Sequence, residues 1–263
     1  MTAYSNSSEW PEVGMPQPLL SAIEMTLQAG DGLVLKGALV YPEIEADGDF
    51  PLAVLAHQYP ATADSFAPLM EDLLELGVAV LAFDERGHGS SVQMADGRPL
   101  VIDTPLGFGV EAFGAAFVSS IAKVGFNRID DDVLRVASWG VSQNFIDSTH
   151  VALIGASVGG TAVTLAAPRI PGLKALVTFG AAGELVWGED GRARGRAAMN
   201  QTTARTLHAS SKSDPFGAAD NARAWSDGLK HATARIVPGA AHAMAIYHTV
   251  REEVVALLEA ALT

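Results

Sequence analysis

Gly155-Ala156-Ser157-Val158-Gly159 sets a serine between two glycines, where the apolar run Val151–Ile154 gives way to the small, apolar stretch Thr161–Ala167. A β-branched run that passes at once into small residues reads as strand, sharp turn and helix, with the serine at the apex. The glycines leave room where helix folds back on strand, and a serine at such a turn takes a strained backbone conformation. Its hydroxyl is lifted clear of the sheet, beside the positive end of the following helix. A hydroxyl so placed becomes a nucleophile once a base takes its proton. The blander reading of the same string is a small-residue turn that packs helix on strand.

Two rivals fail on the residues. A dinucleotide fingerprint, Gly-x-Gly-x-x-Gly, needs glycine where Ser157 stands. The uncharged run Val151–Pro168 suggests a membrane span, but it holds Ser157, Thr161, Thr164 and three glycines and ends in proline.

A nucleophilic serine needs a base, and the base needs an orienting acid. Thr206–Pro215 reads as a short strand running into a loop that carries Asp214, and Ala234–His242 as a strand, a Pro-Gly turn and a loop histidine. Between Asp214 and His242 there is room for one helix, Ala218–Leu229, and one strand. Both side chains then stand just past the carboxyl ends of neighbouring parallel strands, as Ser157 does. Open α/β sheets carry their sites at that edge. The chain order Ser, Asp, His is one of those in which such a constellation occurs.

Four motifs in this order resemble the α/β-hydrolase superfamily, and within it the compact bacterial esterases and dienelactone-hydrolase-like members, over about Leu33 to Leu262. Gly155–Gly159 is similar to the nucleophile elbow, Ser213-Asp214-Pro215 to the acid loop, and Gly239–His242 to the histidine loop. Phe83–Ser91 is similar to the Asp-x-Arg-Gly-x-Gly-x-Ser turn after the family's fourth strand. The resemblance implies Ser157, Asp214 and His242 as catalytic residues, with no cofactor. After its third strand, here Leu52–Ala56, the family shows His-Gly-x, whose last residue donates a backbone N–H to the oxyanion. This chain has His57-Gln58-Tyr59-Pro60, so alignment implies Tyr59 as one oxyanion-hole amide and Val158, after the nucleophile, as the other. Gln58 stands in place of a glycine that allows close backbone approach. His57 is expected to be structural, hydrogen-bonded within its loop.

Strands alternate with helical patterns throughout the chain. That predicts an α/β fold with a mostly parallel central sheet and helices on both faces. Ile23–Leu27 and Leu33–Val40 form a hairpin around Gly30-Asp31-Gly32. Phe66–Leu76 is a helix ended by Gly77, Val78–Phe83 the next strand, Asp130–Trp139 a helix opened by three aspartates, and Leu173–Phe179 a strand. Residues 1–22 read as an N-terminal arm and 23–263 as one domain. Two segments, 92–127 and 184–203, exceed a minimal fold and are candidates for a small lid. In the first, Val110, Phe113, Phe117 and Ile121 follow helical spacing, as lid or as core, with Gly109, Gly114 and Gly125 as flex points. The second holds Trp187 and three arginines and is too short for a large cap.

The 263 residues are 49% hydrophobic and 18% charged, enough for one large core. A net charge of −13 disfavours nucleic acid and anionic membrane surfaces as partners. There is no cysteine, hence no disulfide framework and no thiol chemistry. The first 20 residues carry no Lys or Arg and no continuous apolar stretch, so no leader is expected and a cytoplasmic location is the default. His88 reads as a loop residue, His248 as a helix residue that at best lines a pocket, and His150, His208 and His231 as surface or strand-flanking. No His/Asp/Glu grouping has metal-ligand spacing, so no metal is expected. The reading is a serine hydrolase acting on a small ester or related acyl bond. It leaves open peptidase, thioesterase, carbon–carbon hydrolase or cofactor-free haloperoxidase chemistry, and a binding role on the same scaffold.

Overall fold

A computed structural model describes residues 20–43, 49–106, 110–188 and 190–263. Residues 1–19 of the expected arm and the flex point Gly109 lie outside the described residues. The chain is first seen in a hairpin of β1 (Leu20–Gln28) and β2 (Leu33–Pro42), turned at Gly30-Asp31-Gly32, so the last residues assigned to the arm are strand. β1 alternates between exposed and part-buried residues, as an edge strand with one solvated face does.

β2 pairs antiparallel with β4 (Ala79–Phe83). From β4 the ladder is parallel through β3 (Phe50–Ala56), β6 (Ile146–Ala156), β7 (Leu173–Phe179), β8 (Arg205–Ser211) and β9 (Ala232–Val237). The short β5 (Gln93–Met94) pairs with β2, and the spatial order is β1-β2-β4-β3-β6-β7-β8-β9. Leu52–Ala56, Ala79–Phe83 and Val151–Ala156 are buried throughout, which is why these strands read as unbroken apolar runs.

Successive residues of a strand point to opposite faces, and the core divides accordingly. Ala53 and Leu55 join Leu69 and Leu73 of α1 (Ala67–Glu75) and Val250, Val254 and Leu258 of α8 (Tyr247–Leu262) on one face. Leu52 and Val54 join Val133 and Val136 of α3 (Ile129–Val141) and Val158 and Val163 of α4 (Val158–Ala166) on the other. The remaining helices are α2 (Val110–Val124), α5 (Glu184–Trp187), α6 (Gly191–Met199) and α7 (Ala218–Ser226). No helix among the described residues is long and apolar enough to cross a membrane.

The expected elements are present with shifted ends. A 3-10 turn, Ala63–Phe66, takes the start of the helix expected from Phe66, and α7 stops at Ser226 rather than Leu229, because Asp227 leaves helical conformation. The turn after β4 is clamped by buried Arg86. Its Nε and Nη2 donate to the Asp132 carboxylate of α3 at 2.7 and 3.1 Å, and Nη1 donates to Asp31 in the hairpin turn at 3.0 Å. Bidentate charge-assisted bonds of this kind fix orientation as well as distance. The clamp holds hairpin, turn and α3 as one block.

Candidate active site

The elbow follows from close backbone approach. A Cβ on Gly155 would stand 2.5 Å from the Gly159 carbonyl oxygen, and one on Gly159 would stand 2.3 Å from that of Ala56. Only glycine lets α4 pack so tightly on β6 and on the end of β3. Ser157 sits between them at φ 51°, ψ −118°. That strained conformation is held from both sides: its N–H donates to Phe179 O at 2.9 Å and its carbonyl accepts the Ala182 N–H at 3.0 Å.

Ser157, Asp214 and His242 are brought together although they lie on three loops, after β6, β8 and β9. His242 Nδ1 is 2.8 Å from Asp214 Oδ2, and His242 Nε2 is 2.8 Å from Ser157 Oγ. A carboxylate can only accept, so Nδ1 carries the proton and Nε2 presents its lone pair to the serine hydroxyl. The Asp214 side chain is fully buried, and its second oxygen accepts the Phe216 backbone N–H at 2.9 Å. The acid and histidine loops are tied to each other: Lys212 N–H donates to Val237 O at 2.8 Å, Ser213 N–H to Gly239 O at 2.9 Å, and Ser211 Oγ to Ala241 O at 2.6 Å. Such an array can draw a proton from the serine hydroxyl while the carboxylate balances the charge that forms on the ring.

Two other carboxylates near these loops are paired with arginines: Glu184 after β7 with Arg192 at 2.7 Å, and Asp220 in α7 with Arg223 at 3.1 Å.

Val158 opens α4, so its N–H has no acceptor within the helix. Among the described residues no backbone acceptor takes the Tyr59 N–H. The contact of Gly159 with Ala56 and His57 brings the start of α4 against the loop that carries Tyr59. In that loop Gln58 O accepts His57 Nδ1–H at 3.0 Å and the Ala61 N–H at 2.9 Å, so the segment closes on itself without a glycine. His57 is fully buried and its Nε2 accepts the Glu85 N–H at 2.9 Å; burial holds its pKa down to about 4, a neutral brace between two loops. The Tyr59 hydroxyl donates to Asp103 O, and Asp103 is bound by Ser119, Ser120 and Lys123 of α2. The loop that carries Tyr59 and α2 are thereby linked.

Above Ser157 lies a cavity of about 410 Å³ walled by Tyr59, Phe113, Phe117 and Phe216, with Glu184 at its edge. Phe113 and Phe117 therefore serve both readings of the stripe, lining the cavity and packing on Tyr59 at 5.3 and 5.1 Å between ring centroids. A larger groove of about 850 Å³ runs along β1, β2 and β4. It holds Ser90, but that hydroxyl donates to Asp84 Oδ2 at 2.8 Å and no histidine lines the groove.

The other histidines divide. His88 is buried in its turn, its pKa held down to about 3 by burial, and His248 is exposed and away from the cavity. His208 corrects the expectation of a surface or strand-flanking residue. It is fully buried in β8, bonded to Thr178 Oγ1 at 2.8 Å, and burial holds its pKa down to about 3. Phe216 and Gly180 were not singled out from the sequence. Phe216 shows no signal beyond its place after Ser213-Asp214-Pro215, and Gly180 none beyond ending a strand.

The parallel sheet, the elbow after β6 and the loops after β8 and β9 define an α/β-hydrolase. The chain belongs to the family described as serine aminopeptidase, S33, whose pattern it matches over residues 51–207. No curated protein matches it. Among solved structures it resembles an acetyl xylan esterase from Paenibacillus sp. R4, at 18% identity and TM-score 0.64, over 95% of this chain and 86% of that one. An esterase from Pyrococcus furiosus matches at 14% and 0.64, over 93% and 92%. A dienelactone hydrolase from Anabaena variabilis matches at 18% and 0.60, over 93% and 99%. At such identities the likeness is one of fold.

Proposed function

We propose that the protein is a serine esterase for small carboxylic esters, working through an acyl-enzyme. The observation that carries this reading is the unbroken Asp214–His242–Ser157 chain, with both contacts at 2.8 Å, beneath a compact apolar cavity. His242 Nε2 takes the Ser157 proton as Oγ bonds to the ester carbonyl carbon. Asp214 holds the ring in the required tautomer and offsets its positive charge. The carbonyl oxygen, now an anion, is met by the Tyr59 and Val158 amides. The C–O bond to the alcohol breaks, and the alcohol leaves with the proton from His242. Water, deprotonated in turn by His242, attacks the acyl carbon, releases the acid and restores the serine.

The test pairs a fluorophosphonate probe with p-nitrophenyl butyrate. Wild-type protein should be labelled stoichiometrically at Ser157 and should hydrolyse the ester. Ser157→Ala should lose both while keeping its circular dichroism spectrum. Labelling of the mutant at Ser210, Ser211 or Ser213 would refute the assignment.

A further inference from the structure

Among the described residues, the cavity beside Ser157 has one formally charged side chain on its wall, and that charge is negative. Glu184 opens α5 there, with its side chain 42% exposed. Its partner Arg192 donates Nη2–H to Glu184 Oε1 at 2.7 Å and Nε–H to Asn221 Oδ1 at 2.8 Å. Asn221 is buried and donates in turn to Ala181 O at 3.1 Å. The guanidinium is therefore committed to the wall, and no lysine or arginine lines the cavity itself. Four aromatic rings, with Ala182 and Pro215, supply most of the rest of the lining.

We propose that this site selects uncharged substrates and turns away esters whose acyl chain carries a second, ionised carboxylate, with Glu184 as the specificity-determining residue. The inference rests on the esterase reading above and names the substrate class within it. An entering carboxylate gives up its water and finds no cation to receive it, which is unfavourable in a wall of low polarity. It also meets the Glu184 carboxylate on the cavity wall, a repulsion that Arg192 and solvent reduce but do not turn into attraction. A methyl group in the same position meets Phe113, Phe117 and Phe216 and gains from leaving water. Discrimination between the two is the ratio of their kcat/KM values.

The experiment compares p-nitrophenyl butyrate with mono-p-nitrophenyl succinate, which keeps the acyl chain and exchanges its terminal methyl for a carboxylate. In the wild type, butyrate should lead by roughly a hundredfold in kcat/KM. Glu184→Gln removes the charge and frees the Arg192 guanidinium, so the ratio should narrow by roughly tenfold, and Glu184→Lys should narrow it further. Reading the ratio cancels any general loss of activity in the variants. Equal rates in the wild type, or a ratio unmoved by both substitutions, overturns the proposal. Hydrolysis of neither ester, together with absence of fluorophosphonate labelling at Ser157, overturns the esterase reading and this proposal with it.

Discussion

Phe216 lays its ring against the His242 imidazole, with centroids 4.5 Å apart and planes tilted by 59°. The same residue gives its backbone N–H to Asp214 Oδ1 at 2.9 Å, so one residue holds Asp214 and covers His242. Its ring also meets Phe113 of α2 at 5.4 Å. Asp214, His242 and the cavity wall are therefore a single contiguous unit, which α2 meets at Phe216 through Phe113 and at Tyr59 through Phe113 and Phe117.

On the esterase reading, the Phe113–Phe216 pair should bound the acyl chain. Each buried methylene contributes about 0.8 kcal/mol, so kcat/KM should climb about fourfold per carbon until the cavity is filled and then fall. We expect the maximum among acetate to hexanoate esters of p-nitrophenol, measured below their critical micelle concentrations. Phe113→Ala should move the maximum to longer chains. A wild-type maximum at decanoate or beyond, or activation by a lipid surface, would contradict a compact acyl pocket.

Asp214 and His242 should behave as one device. Asp214→Asn and His242→Ala should each lower kcat by roughly 10³–10⁴, and the double variant should be little worse than the poorer single one. Burst and steady-state kinetics on p-nitrophenyl butyrate give the comparison. If Asp214→Asn kept near-full kcat while Glu184→Gln lost it, the acid would be misassigned.

Gly180 stands at the back of the same pair. It adopts φ 57°, and a Cβ there would lie 2.8 Å from Ala243 N, 3.0 Å from His242 Nδ1 and 3.3 Å from Asp214 Oδ2. Gly180→Ala should displace the imidazole and cost roughly ten- to a hundredfold in kcat, with KM little changed. The accompanying loss of stability should be about 1–2 kcal/mol, from alanine in a left-handed conformation. An unchanged kcat in a folded variant would show that the ring tolerates the extra methyl.

His208 gives a pH signature with a definite sign. Burial holds it down to about 3 in the folded chain, against about 6.5 in the unfolded one. Between those values the unfolded state binds one more proton, so this residue makes the fold less stable as pH falls. The contribution is fully present above pH 6.5 and declines by about 1.4 kcal/mol per unit through the window. His208→Leu should therefore flatten the slope of unfolding free energy by one proton between pH 6 and pH 4, read from urea titrations. Loss of the Thr178 bond adds only a pH-independent offset. Parallel slopes for both proteins would mean that His208 is protonated in the fold.

The elbow, the acid loop and the histidine loop were legible in the sequence because each is a local event. Gly155 and Gly159 flank a serine between an apolar run and a small-residue helix, and Asp214 and His242 each follow a short strand. Chain order, and the rule that parallel strands end on one edge, then suffice to bring the three near each other. The Arg86 clamp and the packing of Phe216 and Gly180 against His242 left no such trace, because those partners come from segments distant in the chain. The sequence reading likewise placed His208 at the surface or flanking a strand. In β8 both faces are covered, so alternation carries no inside–outside signal and a polar residue among Thr206, Leu207 and Ala209 can be wholly buried. The Phe113–Phe117 spacing determined a helix face, but core and cavity share the same period. The contact of Tyr59 and Phe216 with those rings makes the face serve as both, and it depends on how the loops after β3 and β8 are set by the parallel register of the sheet.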